Sequence, residues 1–182
     1  MRELTSDRVT LALKGLPAHT EATVSLALFI LNSWDGNDAR YGPDYWRMAV
    51  AGGPTVLYTT LANIYHYPGD NQSYPDPYPA AHPYLTGAAE VNTLGTWWNP
   101  EAIYLLSFTF PHTDPNLTLT FEAWNLMEWL PSYSDEGWAL NNLRVEVTGT
   151  PQQVVPEPAS FILLAGVLGM IGANLVRRRA TR

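Results

Sequence analysis

The sequence predicts an all-β fold, an antiparallel β-sandwich of jelly-roll kind followed by a single C-terminal transmembrane helix. Three observations predict it. Short runs that alternate apolar and polar residues recur from Val9 to Val147, separated by Gly, Pro, Asn and Asp turn chemistry. Few residues of this body show sustained helical periodicity. Beyond Pro158 the pattern changes to one nearly unbroken apolar stretch that ends in arginines.

The strands follow in order. VTLALKG places Val9, Leu11 and Leu13 on one face and stops at the turn Gly15-Leu16-Pro17. From Ala22 to Leu31 the chain alternates through Val24, Leu26 and Leu28 and then becomes continuously apolar, as a strand entering a core does. A loop, NSWDGNDARYGPD, covers Asn32 to Asp44; the strand YWRMAVAGG follows and is closed by Gly52-Gly53-Pro54. Val56 to Ile64 reads as another strand. The long segment from Tyr65 to Ala88 carries Pro68, Pro75, Pro77, Pro79 and Pro83, which forbid a central strand or a helix. Segments of this length between elements are usually functional or mobile. Tyr104 to Phe110 and Leu117 to Ala123 flank PHTDPN, whose prolines and Asp114 form turns, so the pair reads as a hairpin. The last strand, GWALNNLRVEV, shifts phase at Asn141-Asn142, where a bulge is expected. Seven to nine short strands, about that many by the spacing of turns, make a sandwich.

Length and charge bound the rest. The chain has 182 residues, and the organisation expected is a sandwich domain over 1–150, a linker over 151–158, a membrane helix over 159–176 and a basic cytoplasmic end over 177–182. Before Phe161 there are six Lys or Arg and 17 Asp or Glu, a balance of 6 − 17 = −11, which repels nucleic acid and anionic membrane surfaces. With no cysteine, disulfides, thiolate metal sites and cysteine nucleophiles are excluded. The start MRELTSDRVT has neither a basic nor an apolar leader region, so an export signal is expected upstream of Met1.

The tail has three parts in a fixed order: Pro156, Glu157 and Pro158; an apolar run from Ala159 to Val176; and Arg177, Arg178 and Arg179. A run of about 18 residues rises about 27 Å as a helix, close to the bilayer's hydrocarbon thickness. The arginines orient that end to the cytoplasm and place the body on the far side. This order resembles the PEP-CTERM sorting signal of exported bacterial envelope proteins. The resemblance implies recognition by an exosortase, a membrane transpeptidase that cuts near the motif, and an envelope or extracellular destination after transient anchoring by the helix. The body is also similar to a lectin-like sandwich that carries such tails, on NSWDGNDARYGPDYW, FTFPHTDPNLTLTF and DEGWALNNLRVEV.

Two constellations in the body bear chemistry. Asp35, Asn37, Asp38 and Asp44, with Asp135 and Glu136 if the two loops meet, supply the hard oxygens that Ca²⁺ takes; the competing reading is an Asx-rich turn bonded to its own backbone. Tyr65, Tyr67, Tyr74, Tyr78 and Tyr84 in the proline-rich segment, joined later by Trp97, Trp98, Trp124, Trp129 and Tyr133, supply rings that pack a loop onto the sandwich or, at Tyr74, Tyr78, Trp97, Trp98 and Trp129 above all, cover a sugar face. His19, His66, His82 and His112 are scattered without zinc-hydrolase spacing and read as surface or turn residues. No serine elbow, phosphate loop or dinucleotide fingerprint occurs. The expected function is therefore that of a non-enzymatic, exported matrix protein associated with polysaccharide. The alternative is a secreted glycan-cleaving enzyme using two carboxylates, such as Glu90 with Glu122 or Glu128.

Overall fold

The computed structural model describes residues 4–64, 71–95, 100–130 and 133–149. All the regular elements there are strands. They are β1 (Arg8–Lys14), β2 (Glu21–Asn32), β3 (Tyr45–Val50), β4 (Thr55–Thr60), β5 (Asn71–Gln72), β6 (His82–Pro83), β7 (Glu90–Val91), β8 (Glu101–Pro111), β9 (Asn116–Trp124), β10 (Glu128–Leu130), β11 (Tyr133–Ser134) and β12 (Glu136–Thr148). Two four-stranded antiparallel sheets carry the fold, in the orders β1-β9-β3-β4 and β12-β2-β8-β7; β5 with β6 and β10 with β11 form small ribbons. The transmembrane helix expected over 159–176 lies outside the described residues, as do the Pro-Glu-Pro motif and the arginine cluster.

Alternation decides which side chains meet. In β2, Ala22, Val24, Leu26, Leu28 and Ile30 are buried; in β9 it is Leu117, Leu119, Phe121 and Ala123; in β3, Trp46 and Met48. These inner faces, drawn from both sheets, form one hydrophobic core. Trp46 meets Trp138 of the other sheet edge to face, with ring centroids 6.5 Å apart. Each large indole needs a polar partner when buried, and two find backbone carbonyls: Trp34 Nε1 donates to Gly137 O at 2.8 Å and Trp138 Nε1 to Thr5 O at 2.7 Å.

The closing strand contains the expected bulge. Asn141 pairs with Ala27 and Arg144 with Ser25, so three steps on β12 answer two on β2. One extra residue reverses the parity of every side chain beyond it. That is why the apolar positions change from Trp138 and Leu140 to Leu143, Val145 and Val147 without any of them leaving the inner face.

Two expectations are corrected. Tyr104 to Phe110 and Leu117 to Ala123 do not pair as a hairpin: β8 pairs with β2 and β7, whereas β9 pairs with β1 and β3. The segment between them is an arch from one sheet to the other. Its turn chemistry is as read, with Asn116 N–H donating to Asp114 Oδ1 at 2.7 Å. Turn residues specify that the chain reverses, but an arch and a hairpin both leave each strand's apolar face on the core. The fourth strand expected, Val56 to Ile64, is shorter: β4 ends at Thr60, and Leu61, Ala62 and Asn63 continue buried beyond it.

Trp138 is fully buried between the sheets and ties the closing strand to the N-terminal segment. Trp138→Ala is expected to cost about 3–5 kcal/mol of stability, measured by denaturant unfolding of the full chain. A loss below about 1 kcal/mol would place the indole outside the core.

Candidate functional site

Asp35, Asp44 and Glu136 meet inside the sandwich. Each offers a carboxylate oxygen, and the three oxygens lie within 4.8 Å of one another. Strand parity explains why acids point inward. Asp44, one residue before β3, keeps the parity of the buried Trp46 and Met48, and Glu136 shares its face with Trp138 at the start of β12. Asp35 follows the buried Trp34 at the beginning of the β2–β3 loop. The pairing of β12 with β2 delivers the third acid: Glu136 lies opposite Asn32, and Ser33 N–H donates to Asp135 O at 3.1 Å.

The loop is built to hold this arrangement. Gly36 has a φ of +65°, and a Cβ there would approach the Ala62 Cβ to 2.8 Å, so only glycine fits the turn. Asp44 N–H donates to Gly36 O at 2.9 Å, and Asp38 N–H to Asp35 O at 3.2 Å. The Oδ2 atom of Asp44 accepts from the N–H groups of Asp35 and Gly36, and Glu136 Oε2 accepts from Met127 N–H. Burial reaches 0% exposure at Asp44 and Glu136 and 7% at Asp35. Among the described residues, nothing donates to Asp44 Oδ1. Burial, and then the charge of Asp35, raise the Asp44 carboxyl well above its ordinary value; burial, and then the charge of Asp44, raise that of Glu136.

Six acidic or amide residues read from the sequence thus divide into two groups. Asp35, Asp44 and Glu136 converge, and Asn37, Asp38 and Asp135 are engaged elsewhere. Asn37 Nδ2 donates to Ala80 O at 2.9 Å, and its Oδ1 accepts from Thr60 and Ser73, which ties the proline-rich segment to the loop. Asp38 turns to Arg40, whose side chain holds its carboxyl below the ordinary range. Asp135 accepts from Ser33 Oγ at 3.1 Å.

The second site lies on the outer face of the β1-β9-β3-β4 sheet. Outward positions there carry Tyr45, Tyr58 and Trp124, with Trp124 stacked on Tyr45 at 5.2 Å and on Tyr58 at 5.5 Å. Beside them, Glu122 accepts from Arg8 Nε at 2.6 Å and Arg47 Nε at 2.5 Å, and the Arg47 guanidinium lies 5.7 Å from the Trp124 ring centre. Burial works to raise the Glu122 carboxyl, but the two arginines outweigh it and hold it below its ordinary value. An open depression of about 540 Å³ is lined by these three charged residues, Asp7 and Trp124. The other sheet's outer face is ordinary by comparison: Thr23 bonds Thr109 at 2.8 Å and Ser25 bonds Ser107 at 3.1 Å.

Of the rings read from the sequence as a sugar platform, Tyr78 joins this array edge-on to Tyr45 at 5.1 Å, and Tyr74 packs edge-on against the buried Tyr104 at 5.2 Å. Trp97 and Trp98, and the side chain of Trp129, lie outside the described residues. Trp124 belongs to the aromatic constellation of the sequence, whereas its strand neighbours Tyr45, Tyr58, Arg47 and Glu122 do not. The signal for the array was the outward parity of Tyr45, Arg47, Glu122 and Trp124, where solvated strands normally carry Ser, Thr or Lys. His19 and His112 lie in loops, as read, but His19 is buried, and its Nε2 lies 2.7 Å from Nδ1 of His112, joining the two loops.

Residues 154–180 match a family model described as the PEP-CTERM protein-sorting motif. The chain carries an exosortase sorting signal. The PEP-CTERM motif implies export, processing by an exosortase and an envelope or extracellular destination. No curated protein and no solved structure matches the chain.

With both acids raised, the ion-free native body keeps protons that the unfolded chain releases near pH 4. Their stabilising contribution is complete below that pH and is lost as pH rises through the raised native values. The melting temperature of chelated protein is expected to fall steadily from pH 5 to mildly alkaline pH. A rise over that range would show that the cluster is ionised and compensated without a cation.

Proposed function

We propose that this is a non-enzymatic protein of the bacterial envelope or extracellular matrix, a lectin-like sandwich that is delivered by its PEP-CTERM motif and associates with polysaccharide. The membrane helix expected over 159–176 anchors it until an exosortase acts. The motif match supports the route. The array around Trp124 is the observation that supports the ligand class: an aromatic face with Arg and Glu side chains at its edge suits a pyranose, whose C–H face stacks while its hydroxyls bond. The adjacent charges of Arg8 and Arg47 balance those of Asp7 and Glu122, which suits a neutral sugar.

The non-enzymatic reading rests on where the acids lie. Asp44 and Glu136 are wholly buried, and Glu122 is held by two arginines, so none is placed as a free acid facing a glycan. Of the other acids considered, Glu90 is exposed on β7 and accepts from Thr93 Oγ1, and the side chain of Glu128 lies outside the described residues.

Retention on immobilised matrix polysaccharide tests the ligand class. Trp124→Ala is expected to weaken retention about tenfold, roughly 1.4 kcal/mol, while the body still unfolds in one cooperative transition above the assay temperature. Equal retention of wild type and variant, or none by either, would remove the sugar reading.

Processing tests the route separately. Glu157→Ala leaves the apolar run intact and removes the carboxylate of the motif, so the size shift of the mature protein is expected to disappear while membrane insertion persists. If wild type and variant both retain the intact C-terminus by mass spectrometry, the segment is a permanent anchor.

A further inference from the structure

We infer that Asp35, Asp44 and Glu136 form an interior Ca²⁺ site that clamps the β2–β3 loop to the closing strand β12. This site is independent of the outer face and of the polysaccharide reading. Three geometric observations lead to it. The carboxylate oxygens lie within 4.8 Å of one another. Asp44 is fully buried, and its Oδ1 has no hydrogen-bond partner among the described residues although its Oδ2 is anchored by two backbone N–H groups. An unpaired carboxylate oxygen in the interior is costly unless a cation or a proton meets it.

The choice of ion follows from chemistry and size. All three side chains are hard oxygen donors, and no thiolate exists in the chain. Oxygens on opposite sides of a Ca²⁺ ion are about 4.6–5.2 Å apart, against about 4.0–4.2 Å across Mg²⁺. Oxygens within 4.8 Å of one another fit inside the larger shell, and a buried site disfavours Mg²⁺, which keeps several of its waters. Three carboxylates and one divalent ion leave a charge of −1, which the N–H groups of Asp35, Gly36 and Met127 face. The bland alternative is a set of protonated acids that bond one another, and it predicts no response to Ca²⁺.

The test uses the full chain, solubilised in detergent. Millimolar Ca²⁺ is expected to raise the melting temperature over that in chelator, by about 5–10 °C at a hundredfold excess over the dissociation constant. Tb³⁺ should bind in its place and show emission sensitised by tryptophan, because Trp34, Trp46 and Trp138 each sit one or two residues from a ligand. Asp44→Asn with Glu136→Gln should abolish both responses while melting in chelator no lower than wild type, since neutral amides replace acids that must hold protons to stay buried without an ion. Asp38→Asn and Asp135→Asn should keep both responses. No thermal shift and no sensitised emission in wild type, or responses that survive in the double variant, would overturn the site. An equal thermal shift with Mg²⁺ would overturn the choice of ion.

Discussion

The antiparallel pairing of β12 with β2 is the constraint on which the rest of this molecule depends. It runs from Glu136 opposite Asn32 to Thr148 opposite Glu21, joining the last strand of the body to the second. Through it Trp138 reaches the core, Gly137 O receives the Trp34 indole, and Glu136 arrives beside a loop that lies about a hundred residues earlier. The bulge at Asn141–Arg144 belongs to the same constraint, because a strand this long stays apolar on one side only if its parity and the sequence's parity change together.

Interior acids set a local conflict against this frame. Three carboxylates lie in the interior, where apolar side chains are usual, and burial denies them water. Natural sequences are locally consistent except where a site demands otherwise. The loop shows the expense of the exception: a glycine in the left-handed region at Gly36, backbone N–H groups turned onto Asp44, and Asn37 tied to the proline-rich segment. The outer aromatic face departs from pattern in the opposite sense, by keeping rings where solvated side chains are usual. Packing explains part of it, since Tyr78 brings the proline-rich segment onto Tyr45; the depression beside Trp124 is what packing leaves open.

Body and tail divide the work. The body's stability comes from a core shared by two sheets, whereas the tail carries its message in a linear pattern that needs no partner strand. An address of that kind is read as a linear pattern, which is why the PEP-CTERM motif was legible residue by residue from Pro156 to Arg179.

The same distinction separates what the sequence by itself determined from what only the tertiary structure decided. Local rules sufficed for the all-β class, for the main strand positions, for the bulge at Asn141-Asn142 and for the sorting motif, since period-2 alternation, turn chemistry and a linear signal are properties of neighbouring residues. Strand partners were not local. The PHTDPN turn is equally good in a hairpin and in an arch, and only the competition of β2, β1 and β3 for pairing partners made it an arch. The acid cluster shows the same limit. Its loop half was visible as a density of oxygens, yet which of Asp35, Asn37, Asp38 and Asp44 turn inward depends on the parity of β3 and the path of the turn at Gly36. Glu136 rather than Asp135 completes it because adjacent residues on a strand point to opposite sides, and the register of β12 against β2 chooses the side.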